Sequence, residues 1–181
     1  MFLYAVNTIN GINTPLFIVN ELHGTHSDVG LVVSVCAGLE IPIMLLLGAM
    51  GRKISNHTLM IIGCIIAVFY YTILSVSTDT WQLIAAQLFQ ATFVAIVMGN
   101  GLSYFTDLLP NSPGLSATIY SNGSTIGRLV GNLGGGSIAQ FAGFRNVNWV
   151  CLAIVIFAFL ILWRIRPHYE MDVATGHSQS L

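Results

Sequence analysis

Glu40 stands well inside an apolar run of the chain, two positions before Pro42. Inserting a charged side chain at mid-bilayer costs about 2.5–3.5 kcal/mol even on the lenient insertion scale, so such groups turn toward protein or a wet cavity. Two kinds of chemistry are open to this carboxylate: hydrogen bonding to a polar substrate, and carriage of a proton. A structural role, paired with Arg128 or a backbone donor, is the alternative. Arg128 is a cation well inside an apolar run, the fifth. It can balance Glu40, clamp a substrate oxygen, or reach toward the interface as a packing residue.

The second group of chemistry-bearing residues is uncharged. Asn7, Asn10 and Asn13 recur at helical spacing with Thr14, covering roughly a third of the circumference at about 100° per residue. Gln87 and Gln90 repeat the pattern later in the chain, and Tyr120 adds a phenol. Amides donate and accept without carrying charge, which suits a neutral polyhydroxylated ligand better than an ion. Hydrogen bonding between helices, worth only ~0.6–2 kcal/mol per contact, is the structural alternative.

These residues need membrane-spanning elements to hold them. Of 181 residues, 55% are hydrophobic and 7% charged, with a formal net charge of −1. A soluble domain carries about 25% charged residues. The balance excludes a disordered chain, a nucleic-acid binder and most cytosolic enzyme domains. Cys36, Cys64 and Cys151 lie far apart in apolar runs, so no disulfide framework, metal site or cofactor is expected. All five histidines fall in loops or the tail, leaving no buried base to activate a mid-membrane serine, and an enzyme is not expected.

A spanning helix needs about 20 mostly apolar residues. Six such runs are present, at about 1–20, 29–50, 58–77, 82–106, 114–141 and 147–165, with a polar tail over 167–181. The expected fold class is therefore an all-α membrane protein of six transmembrane helices. The first run reads slightly short, as if cut near its start. Basic residues favour the cytoplasmic side. With both termini inside, Arg52, Lys53, Arg164 and Arg166 are cytoplasmic and only Arg145 is outside. The expected location is the inner, or plasma, membrane.

The spans differ in polarity. The third and sixth lack charges and amides over most of their length and can face lipid all round. The first, second, fourth and fifth cannot, and should enclose a polar cavity. Pro42 frees the carbonyl of Gly38 beside Glu40 and favours a kink. In the fifth run Gly131 and Gly135 belong to a glycine-rich face suited to close helix packing. Asp107 is expected to cap or latch the end of the fourth helix.

This order of two inner helices and one outer, repeated, resembles the C-terminal six-helix half of a major facilitator superfamily transporter. GAMGRK (48–53), with Arg52 and Lys53, resembles that superfamily's basic loop after the second helix of a half. The stretches NTPLFI (13–18), ELH (21–23), AGLEIP (37–42), YFTDLLPNSPG (104–114) and ATIYSNGS (117–124) resemble the bacterial sugar efflux transporter family. Thr125 stands where that family's pattern places an arginine, and Arg128 follows three residues later. The resemblance implies export of sugars, small oligosaccharides or glycosides, by proton-coupled alternating access. The substrate contacts would be Asn10, Asn13, Glu40, Gln87, Gln90 and Tyr120. Glu40 and Arg128 would be the proton-coupling or ion-pair groups, and Pro42, Arg52, Lys53, Asp107, Gly131 and Gly135 the gating or structural ones. The expected partners are sugar, protons, the lipid bilayer, and either an N-terminal six-helix half or a second copy. Two alternatives stay open: drug or multi-compound efflux, and a truncated or split half-transporter without activity of its own.

Overall fold

A computed structural model of the protein describes residues 1–50 and 54–164, which form six α-helices. These are α1 (Phe2–Asn20), α2 (His26–Met50), α3 (Asn56–Val76), α4 (Thr80–Leu108), α5 (Pro113–Ala142) and α6 (Phe144–Arg164). Arg52, Lys53, Arg166 and the 167–181 tail lie outside the described residues. Five helices are long and apolar enough to cross a membrane. The exception is α5: it has 30 residues, but its glycines, serines and asparagines lower its hydropathy.

Local chemistry sets the breaks. The start of α2 is a reciprocal cap: Thr25 N–H donates to Asp28 Oδ2 at 2.7 Å, and Asp28 N–H donates to Thr25 Oγ1 at 3.3 Å. This cap lets the helix begin at His26, ahead of the residue 29 that hydropathy alone marks. Ser55 caps α3 by accepting from Thr58 N–H. Pro113 sits in the first turn of α5, where its missing N–H costs nothing. Gly143, at φ +85°, makes the left-handed turn between α5 and α6.

The helices pack as two related triplets. The central α1 contacts α5 and α6, the central α4 contacts α2 and α3, and α3 meets α6 behind them. Exchanging α1–α3 for α4–α6 converts the α1–α5 contact into α4–α2 and the α1–α6 contact into α4–α3. This is the pattern of a three-helix repeat, as in one half of a twelve-helix transporter.

The lipid-facing expectation for the third helix needs correction. Tyr70 and Tyr71 of α3 are fully buried, because their hydroxyls need acceptors and find them on α1: Asn10 Oδ1 at 3.2 Å and Val6 O at 3.3 Å. Conversely, α2 and α5 are the least covered helices. Among described side chains α2 buries only Val32, and α5 buries only Ser116 and the glycines at 127, 131 and 135. The two do not touch each other, so the polar interior is an open groove floored by α1 and α4.

Arg145 also has a defined task. Its guanidinium donates to Ser75 O and Ser77 O, both at 3.1 Å, satisfying the last carbonyls of α3. It also stacks over the Phe17 ring. The sequence marks it only as an outside charge.

Candidate functional site

A cavity of about 270 Å³ opens between α1, α2 and α4. It collects Asn7 and Asn10 from α1, Glu40 from α2, and Gln87 and Gln90 from α4. Each pair is spaced by three residues, which puts both amides on one helix face. Cys36, one turn before Glu40, lines the same wall; the four-residue spacing was the signal that could have marked it.

The amides are held by one another and by buried phenols. Gln90 Nε2 donates to Asn7 Oδ1 at 3.1 Å. Asn10 Oδ1 accepts from Thr14 Oγ1 at 2.9 Å and from the Tyr70 hydroxyl. Gln87 Nε2 donates back to Leu83 O. Gln90 Oε1 is buried with no partner among the described residues, and a buried unpaired acceptor is costly unless a ligand or water completes it. The partly buried Glu40 receives no hydrogen bond from the described residues. The groove thus presents an orphan acceptor, amide donors and one carboxylate, which together can hold hydroxyl groups.

The remaining residues singled out by sequence lie elsewhere. Asn13 turns toward α6, where its Nδ2 donates to Asn148 Oδ1 at 2.9 Å and Phe144 O at 3.1 Å. Tyr120 is in a second, aromatic cavity with Tyr4, Tyr104 and Phe105. Its hydroxyl bonds that of Tyr4, and its ring fills the space that a Cβ at Gly101 would need. Arg128 is exposed, its guanidinium 5.5 Å from the centroid of the Tyr4 ring, and no ion pair joins it to Glu40. Asp107 Oδ2 accepts from Asn56 Nδ2 at 2.6 Å, tying the end of α4 to the start of α3. Pro42 lies within α2, exposed. Gly131 and Gly135 pack against Ala5 and Ile9 of α1.

Asn13→Ala is therefore expected to act on stability. It removes a buried contact between helices worth about 0.6–1.7 kcal/mol, lowering the thermal midpoint in detergent while leaving ligand affinity at the groove unchanged. A weakened affinity with no loss of stability would return Asn13 to the site.

Comparison with known proteins agrees with this architecture. The family model for the Major Facilitator Superfamily matches residues 1–179. Sugar efflux transporter A of Dickeya chrysanthemi is 33% identical over 164 residues, covering 91% of this chain and 42% of the relative. Sugar efflux transporter C of Escherichia coli is 30% identical over the same shares. A putative sugar efflux transporter of Deinococcus radiodurans is 34% identical over 152 residues, 83% of this chain and 39% of the relative. The chain thus spans less than half the length of the curated relatives it matches. On its six-helix architecture and a family match over nearly its whole length, the chain belongs to the major facilitator superfamily.

Proposed function

We propose that the chain forms one six-helix wall of a sugar exporter in the inner membrane, with both termini cytoplasmic, and that it works by alternating access coupled to protons. Glu40 is the proton-linked anchor. Asn10, Gln87 and Gln90, with Asn7 beside them, contact sugar hydroxyls. The observation that carries this reading is their convergence with Glu40 on one groove, whose walls otherwise include Val32, Val33 and Val94. Sugars present many hydroxyls and no charge, which matches amides better than a row of acids would. The names of the relatives point the same way. Small oligosaccharides and glycosides fit a groove open along one side.

The test is reconstitution of the chain in proteoliposomes with labelled lactose and, separately, a cationic dye, each with and without a proton gradient. The expected result is gradient-dependent lactose transport and no dye movement. Dye transport without sugar transport would favour multi-compound efflux. Movement of neither would make the chain a half without independent activity.

A further inference from the structure

Tyr70 belongs to α3, behind the groove, yet its hydroxyl ends against side chains that line the groove. Its ring is fully buried and braced by Tyr71, whose ring meets it edge-on with centroids 5.0 Å apart. The hydroxyl donates to Asn10 Oδ1 at 3.2 Å, with the side chains of Thr14 and Gln87 beside it. Thr14 Oγ1 donates to the same Asn10 oxygen at 2.9 Å. An amide oxygen has two lone pairs, so these two donors fill it. The Asn10 Nδ2, by contrast, meets no acceptor among the described residues and is not sealed from solvent. Because Asn10 lines the groove while only 6% exposed, that nitrogen is the part of it a ligand can reach. Turning the amide over would set its NH2 against two hydroxyl hydrogens. Both hydroxyls would then need new acceptors in a buried site, which is costly.

We propose that Tyr70 is a positioning residue for the groove, locking the Asn10 amide with its NH2 turned toward the ligand. This deepens the sugar-binding role proposed for the groove and rests on it for the identity of the ligand, though not for the lock itself. At Asn10 the protein then offers hydrogens only. A ligand must bring a lone pair to that point, from a hydroxyl or an ether oxygen, and a group that can only donate finds no partner there. The helices that carry the amides, α1 and α4, barely meet each other. A phenol from α3 set against Asn10 of one and Gln87 of the other fixes them as one surface. Tyr71 provides the contrast. It is equally buried and also donates to α1, but to the backbone oxygen of Val6 at 3.3 Å, which has no alternative orientation to select. Tyr71 joins helices, whereas Tyr70 holds an orientation.

The two phenols supply the test, since Tyr70→Phe and Tyr71→Phe each keep the ring and remove one buried hydroxyl. Both should lower the thermal midpoint of the full chain in detergent by similar amounts. The readout that separates them needs no ligand: proton–nitrogen correlation spectra of the chain carrying isotope-labelled asparagine side chains. The Asn10 NH2 signals, assigned by their loss in Asn10→Ala, should exchange with water in the parent protein. They should shift or broaden in Tyr70→Phe and stay in place in Tyr71→Phe. Lactose titration of the same samples reads the consequence. Affinity should weaken about three- to tenfold in Tyr70→Phe, the loss expected for one orienting hydrogen bond, and stay unchanged in Tyr71→Phe. In the Asn10→Ala background, Tyr70→Phe should weaken lactose no further. Asn10 signals that ignore Tyr70→Phe, or that respond equally to both phenols, would overturn the lock, as would equal losses of lactose affinity in the two variants. Asn10 signals that follow Tyr70 alone, in a parent protein that binds no lactose, would support the lock and count against sugar as the ligand.

Discussion

Glu40→Gln is expected to abolish uphill sugar export while exchange between equal sugar pools continues. Glutamine keeps the length, shape and hydrogen-bonding capacity of the side chain and loses only the titrating proton. In this groove the substitution is unusually clean. Glu40 receives no hydrogen bond from the described residues, so replacing it orphans no donor. Its cavity neighbours are uncharged amides and aliphatic groups. Trading a charged acceptor for a neutral one costs about 1 kcal/mol of contact energy, so exchange should fall by less than about tenfold. Accumulation against a gradient should fall to background, because under the proposed coupling Glu40 is the one carboxylate among the described residues lining the groove. Parallel measurement of labelled-sugar accumulation and counterflow in proteoliposomes separates the two. Loss of both, with normal membrane insertion, would show that Glu40 binds or supports instead of coupling.

Much of this was legible before any coordinates because lipid is an unforgiving solvent. Polar residues inside an apolar run must find company. Asn10, Glu40, Gln87 and Gln90 could be assigned to an interior from type and period alone, and they line one cavity. Angular detail was not legible. Asn13 lies only about 60° round the helix from Asn10, yet that turn exchanges the groove for α6. Its partner Asn148 was overlooked because it stands one residue before the uninterrupted apolar stretch that begins at Trp149. Tyr120 carried the right chemistry for a sugar contact, but its place follows from Gly101, whose missing side chain admits the ring. Such pairings depend on which helices become neighbours, and periodicity within one helix does not encode that. The open faces of α2 and α5 were hidden for a related reason: a span's polar stripe says that it must be covered, not by which element.

Gly131→Ala is expected to separate α5 from α1 and destabilise the bundle, while Gly134→Ala, three residues on, leaves it intact. The difference lies in what an added methyl meets. A Cβ at Gly131 would stand 2.5 Å from the Ala5 carbonyl oxygen and 3.0 Å from Ala5 Cα. Those are backbone atoms of a helix, and no rotamer change relieves the clash. At Gly134 nothing lies within 4 Å. Overpacking of a closed contact costs about 1–3 kcal/mol, and here the strain falls on the seam that joins the two three-helix repeats through α1 and α5. Moving α1 also shifts Asn7 and Asn10, so the first variant should lose groove affinity together with thermal stability. Gly135→Ala should fall between the two: its Cβ would meet Ile9 side-chain atoms at 3.1 Å, and an isoleucine can yield by a few tenths of an ångström where a carbonyl cannot. Thermal unfolding of the three variants in detergent should rank them Gly134, Gly135, Gly131 in order of increasing damage. Equal effects at all three would mean that the glycine face serves bending and not close approach.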